Sequence, residues 1–509
     1  MVRFWEYCNK HKISIFVSTI VLGLVHGSRF FTNNVSIDTV LFVKNPGTDY
    51  NWLEIGRWGM VLTKKLGGLG IYNPYVASVF AFLMMVLSCI LWSYLFFEIS
   101  KKDRESYFLV GILFFSHPVF ALQIFFQIQA FELLFSIALI PITLLFVYKW
   151  IDGKKWLWCI LSVFLMVWIF ATYQSNVVLY IAGAIVCFIL YEEKDIKSLL
   201  INGIKLVVSF FIGYLSYNVI DRLFFPQSEY LESSVFWGQL PFKECLDFIW
   251  LHIQQVIYGS GTFFNKCYIL WIGIFAFIFV LELKHITWYK VIKWCAIAIL
   301  FLTPFALTIY LGHMPVERSQ TSLGFVQAVV SMMAYQYFKS QKIQIVQKGM
   351  SIIVLASAVL MLNKQMYTTL KLYYTDDVRY NEDVNTIQQI LNDVNDIKGI
   401  DAKPLVFIGT KDSKLNASCY QAGSQGIEYF GESCTKLFYD VEPYYFNSTY
   451  SILDLCNVIG MPYPMPSETQ VIKARKDAEL MPCWPSEGSV KDSGETIIIK
   501  LSDDNLPTK

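Results

Sequence analysis

Ser36-Ile37-Asp38-Thr39, running on through Asp49-Tyr50 to Glu54-Ile55-Gly56-Arg57-Trp58, is the stretch whose reading decides the rest. It lies between two long apolar runs, about residues 13–31 and 74–97, so it forms a loop at one membrane face. Asp38, Asp49, Glu54 and Arg57 fall inside this one segment. A carboxylate can take a proton from a reacting hydroxyl, and a guanidinium can grip a phosphate. A base and a phosphate-binding cation at a membrane surface are what an enzyme using a lipid-linked phosphate donor requires. The plainer alternative is a solvated loop whose charges avoid lipid.

Working outward, the 509 residues are 55% hydrophobic and only 16% charged, and the apolar residues come in long uncharged blocks. A bilayer span needs roughly 20 of them, so the chain is a polytopic membrane protein. Net charge is +1, which gives no global field for nucleic acid. The first apolar run lacks a small-residue cleavage site after it and reads as a retained span.

The second run, 74–97, is followed by a basic turn at Lys101, Lys102 and Arg104. Residues 107–131 carry no charge but contain Ser116-His117-Pro118, Gln123, Gln127 and Gln129, so the span is expected to break there and a new one to start near Glu132. Residues 156–191 are uncharged and too long for one span. They must be a hairpin, turning at the polar cluster Thr172-Tyr173-Gln174-Ser175. Residues 206–220, 268–281, 291–311, 322–337 and 350–362 complete an all-α bundle of about 11 transmembrane helices. A long amphipathic loop, 221–266, interrupts it. Lys and Arg recur at alternate turns from Lys10 through Lys149 and Lys197 to Lys348, which marks that side as cytoplasmic. The 36–58 loop, the 172–175 turn and the segment from His313 to Gln320 then lie outside. Lys64 and Lys65 break the series by falling outside, where they suit an anionic ligand.

From Asn363 the composition turns polar. The expected division is a membrane domain, 1–365, and a small extracytoplasmic mixed α/β domain, 366–509. The second is expected to hold a helix over 382–395 and short buried strands at 404–409 and 496–501. Cys419, Cys434, Cys456 and Cys483 belong to it, and an oxidising compartment points to two disulfides whose pairing the sequence leaves open. Cys245 and Cys267 are candidates for a third. Zinc is disfavoured by the spacing and by the absence of histidine from that domain.

The expected outer face also collects His117, Glu132, Asp221, Arg222, His313, Glu317 and Arg318. No Walker loop, dinucleotide fingerprint or His-Glu-x-x-His occurs, so neither a nucleotide site nor a cofactor or metal is indicated.

An outer first loop with an early Asp, then Gly56-Arg57-Trp58 before the second span, resembles the GT-C superfamily of membrane glycosyltransferases. It is more closely similar to the bacterial serotype-converting glucosyltransferase II family. Tyr173-Gln174 at the outer hairpin tip resembles a second feature of that family, and Arg318 outside a late span is in keeping with it. The resemblance covers about residues 10–362 and implies transfer of a sugar, glucose in the first instance, from a polyprenyl-phosphate donor to a surface polysaccharide, on the outer face of a bacterial cell membrane. Asp38 matches the family's acid. It is followed by Thr39 where many GT-C loops carry a second acid, which leaves Asp49 as a rival base. Arg57 matches the family arginine, with Arg318 as the second donor-phosphate residue. Trp58, Glu132, Tyr173 and Gln174 are then candidates for contact with substrate.

Each has a structural alternative. Arg57 can stack on Trp58 at the interface, Tyr173-Gln174 can cap a helical hairpin, Glu132 can satisfy Gln127 inside the bundle, and His117 can end a helix. The competing function is a lipid-linked-glycan transporter or flippase. Paired midplane breaks in matching halves would mark one, and the chain shows no matching halves.

Overall fold

The structure, a computed structural model, describes residues 2–503 apart from 33, 36, 45–48, 154, 194, 226–233, 397–402, 412, 413 and 421–446. Of residues 31, 37, 38, 41, 44, 49, 50 and 447 it describes the backbone alone. The chain divides into two compact units. The first comprises Met1–Phe31 and Asp49–Leu370, the second Thr32–Thr48 and Lys371–Lys509.

The first unit is helical. Among the described residues seven helices are long and apolar enough to cross a membrane, or eight if the bent pair Glu105–Phe115 and Val119–Phe125 is one span. Two further apolar helices, Trp156–Thr172 and Asn176–Leu190, are shorter. The expected count of about 11 is therefore not reached by length and composition. The break at Ser116-His117-Pro118 is real, and the two halves bend by 61° there. The next helix, however, starts at Gln127 and carries Glu132 in its second turn. The 156–191 hairpin folds as read, with Tyr173-Gln174-Ser175 as its turn.

Packing runs from Pro74–Ser100 to Gln127–Gly153, then to Trp156–Thr172 and on to Ile196–Phe224. Asn73 starts the first of these by accepting the N–H groups of Tyr75 and Val76, with Pro74 in the first turn where its missing N–H costs nothing. Trp156, Ile160 and Phe164, spaced i, i+4, i+8, are exposed along one face of their helix. Such a stripe is costly in water and stable against lipid.

The second unit holds a three-stranded sheet of order β1-β3-β2, with β1 Leu405–Ile408, β2 Val490–Asp492 and β3 Ile497–Lys500. β1 and β3, the two strands read from sequence, pair in parallel, Leu405 opposite Ile497 and Ile408 opposite Lys500. Both are buried on both faces. Leu405, Phe407, Ile497 and Ile499 enter one core, while Val406, Ile408 and Ile498 meet Val471 and Ala474 in another. A two-sided strand reads as a continuous apolar run, which is why these were legible.

Two features depart from the expected division at 365/366. The helix expected over 382–395 and the last expected span are one 52-residue helix, Gln344–Asn395. Its composition changes midway, but Met350 to Asn395 contains no Gly or Pro to end it. Thr32–Thr48 falls within the expected membrane domain but is built into the second unit. Val35 and Val40 join the core of Ile387, Ile390 and Ile452, and Asn34 donates to Asp376 at 3.0 Å and to Asp377 at 2.6 Å. Asp376 also pairs at 2.8 Å with buried Arg379, which reaches Asp383 at 3.1 Å.

Among the described residues no disulfide joins Cys419, Cys456 and Cys483, or Cys245 to Cys267. Cys434 lies outside the described residues. Cys456 is packed among Leu453, Leu455 and Ile499, and burial pushes its thiol up to about 12.

Candidate functional site

The chain turns sharply after the helix Asp49–Glu54. Gly56 bonds back to Leu53 and adopts φ +71°, and the Arg57 N–H reaches the Trp52 carbonyl at 2.8 Å. Only glycine fits here for two reasons. The backbone is left-handed, and a Cβ would stand 2.9 Å from the Tyr217 hydroxyl and 3.1 Å from an Asp221 carboxylate oxygen. Arg57 then stands at the N-cap position of the helix Trp58–Leu66 without a side-chain cap bond, and a Cβ on Gly59 would lie 2.8 Å from the Trp168 carbonyl, so glycine there allows the close approach.

This turn brings three of the expected site residues together. Arg57 Nε donates to Gln174 Oε1 at 3.2 Å, and the guanidinium lies 4.7 Å from the centre of the Tyr173 ring. Gln174 Nε2 donates to the Ile55 carbonyl at 2.6 Å and lies 3.3 Å from the Tyr217 hydroxyl, which itself donates to the Gly56 carbonyl at 3.1 Å. Tyr173 is buried; Arg57 and Gln174 are half-buried. Tyr173-Gln174 thus does more than cap a hairpin, for it clamps the backbone and side chain of the Gly-Arg-Trp turn. Trp58 stacks on Phe225 with ring centres 5.4 Å apart, so its partner is an aromatic face on the end of Ile196–Phe224.

Glu132 is placed elsewhere. It is fully buried and pairs with Lys64 at 2.7 Å. Lys64 also donates to the Ile128 carbonyl and sits 5.0 Å from the Trp52 ring centre. The lysine expected to face an outer anion is consumed inside the bundle. Gln127, the other partner considered for Glu132, instead accepts from Tyr72 at 2.6 Å and donates to Ser78 at 3.2 Å.

Arg318 occupies a third place, on the turn Glu317–Ser319. Its guanidinium lies 4.5 Å from the Phe126 ring centre, and its carbonyl accepts from Gln123. His117 Nδ1 accepts the Val119 N–H at 3.3 Å, the role of a helix-end residue. Asp38 lies in the helix Ile37–Lys44 of the second unit and Asp49 opens Asp49–Glu54 in the first, but both side chains lie outside the described residues.

Sequence reasoning collected Asp221 at the outer face without giving it a role, and it did not single out Tyr217. They are one turn apart, so they share a face, and Asp221 is the first charge after a long neutral helix stretch. That spacing was the available signal. Among the described residues no group of three or more His, Cys, Asp or Glu is placed to hold a metal ion.

Compared with known families, the model described as Glucosyl transferase GtrII matches residues 27–338. The matched part contains Gly56-Arg57-Trp58, Tyr173-Gln174 and Arg318. No curated protein and no solved structure matches the chain.

Proposed function

Since the chain belongs to the glucosyl transferase GtrII family, which implies a glucosyltransferase acting on surface glycans, we propose that it uses a polyprenyl-phosphate glucose donor and works on the outer face of a bacterial cell membrane. The C-terminal unit then lies outside the cell. The observation that supports this reading best is the Arg57 guanidinium, held at one edge by Gln174 and on one face by Tyr173. A planar, oriented, half-buried cation suits a phosphate better than a mobile one.

In the proposed reaction an acceptor hydroxyl oxygen attacks the anomeric carbon. The bond from that carbon to the phosphate oxygen breaks, and polyprenyl phosphate leaves with its charge held by Arg57 and Arg318. Asp38 takes the proton of the attacking hydroxyl, with Asp49 as the rival base. Trp58, Tyr173 and Gln174 shape the donor side.

The test is transfer of labelled glucose from a polyprenyl-phosphate donor to surface polysaccharide by the purified full chain. A positioned base contributes ~10²–10⁴-fold, so Asp38→Asn nearly abolishes transfer while Asp49→Asn costs less. Full activity in both variants would remove Asp38 and Asp49 as the base, whereas no donor turnover by the intact protein would remove the case for transfer and favour the lipid-linked-glycan transporter.

A further inference from the structure

In the second unit a cavity of about 480 Å³ lies between the helix Gln344–Asn395 and the segment Met461–Pro464. Its helix wall is Gln388, Asn392 and Asn395, spaced by four and three residues and therefore one stripe. Its opposite wall is Met461-Pro462-Tyr463-Pro464, and Leu391 is buried beneath.

The second wall is held in place by local structure. The helix Asn447–Val458 ends at Gly460, with φ +84°; the Met461 N–H reaches the Cys456 carbonyl at 2.8 Å and the Gly460 N–H reaches Asn457 at 3.1 Å. Those two bonds are the paired closure of a helix C-terminus through a left-handed glycine, and prolines commonly follow it. Pro462 and Pro464 restrict the backbone on either side of Tyr463, whose ring packs partly against the core. The groove is therefore preformed and opens to solvent at the three amides, all of which are exposed.

The lining carries amide donors and acceptors, one phenol and apolar surface, and no charged side chain. The nearby Asp393 faces another way, accepting from the Trp484 indole at 2.9 Å. A phosphate, a nucleic acid or an acidic peptide would require cations that this groove lacks. A sugar ring presents hydroxyl edges that both give and take hydrogen bonds, and C–H faces that pack on apolar and aromatic surface. The volume falls in the range of small-molecule sites. We infer that this groove is a saccharide subsite that takes a neutral sugar unit of the acceptor glycan, an inference that rests on the transferase reading above.

The test titrates the full chain in detergent with lipid-free surface polysaccharide, released by mild acid from cells lacking this gene. Gln388→Ala with Asn392→Ala, and separately Asn392→Asp, weaken binding about tenfold or more and raise the KM for polysaccharide, while turnover at saturating polysaccharide is kept. These positions are exposed, and an unchanged melting curve verifies the fold. Wild-type binding in both variants, or no binding by the unaltered chain, would overturn the subsite. Binding that depends on Gln388 and Asn392 in a protein that transfers no glucose would keep the subsite and defeat the transferase reading instead.

Discussion

Arg57 and Lys64 stand two turns apart on and beside one short helix, and the fold treats them in opposite ways. Lys64 is buried against a carboxylate, a carbonyl and an indole. Arg57 is half-buried, gripped by one edge and one face. A cation enclosed with a buried carboxylate is part of the bundle and cannot reach a ligand. A cation held sideways and only half-buried keeps part of its surface exposed. Sequence position alone assigned both to anions at the outer face, so the difference between them is a matter of packing.

The comparison breaks most decisively at the enclosed pair. Removing one partner of a buried ion pair costs ~3–5 kcal/mol because the other charge is stranded, so Lys64→Met or Glu132→Gln sharply lowers the yield of folded protein. Replacing both, Lys64→Met with Glu132→Leu, recovers folding and transfer, as measured by monodispersity and glucose incorporation. A double variant that folds normally and is inactive would return Glu132 to the substrate.

At the half-buried cation the expected effect is on chemistry. Arg57→Lys keeps the charge but loses the fork and the edge contact to Gln174, so transfer falls about 10- to 100-fold with the melting temperature nearly unchanged. A large fall in melting temperature with little loss of rate would make Arg57 structural, like Lys64.

Gly56→Ala acts between the two. A side chain at a left-handed backbone position costs ~1–3 kcal/mol, and here it also crowds Tyr217 and Asp221. Moderate destabilisation together with a rate loss like that of Arg57→Lys is expected from thermal unfolding and the transfer assay. Destabilisation without rate loss would uncouple the turn from the site.

The smallest effect concerns a buried polar group with neutral partners. His252 Nε2–H donates to Gln320 at 2.9 Å, and the Thr308 hydroxyl donates to Nδ1 at 2.6 Å. Burial lowers its pKa from 6.5 to about 4. Between those values the unfolded chain binds the proton and the folded one does not. Stability is therefore full above about pH 6.5 and falls as pH drops toward 4. His252→Gln flattens that slope in melting curves taken across this window; an unaltered slope would assign it to other groups.

Much of the bundle was legible because hydropathy and breakers are local. Uncharged residues 156–191 had to be a hairpin, and its one polar cluster had to be the turn. β1 and β3 were legible for the same reason, as short apolar runs between turn residues. The long helix was missed because a change of composition at Asn363 was read as a change of structure, although no residue there ends a helix. The membership of Thr32–Thr48 in the second unit was missed because Val35, Val40 and Asn34 find their partners more than 300 residues away.

By itself, then, the sequence determined the membrane class, the bent helix at Pro118, the hairpin tip and the two buried strands, since each follows from the order of apolar and polar residues along a short segment. Only the tertiary structure decided that Gln174 holds Arg57, that Glu132 takes Lys64 and that Asp221 stands beside Gly56. Those are choices among helices brought together by packing, and a charge carries no mark along the chain of which opposite or neutral group the fold will set against it.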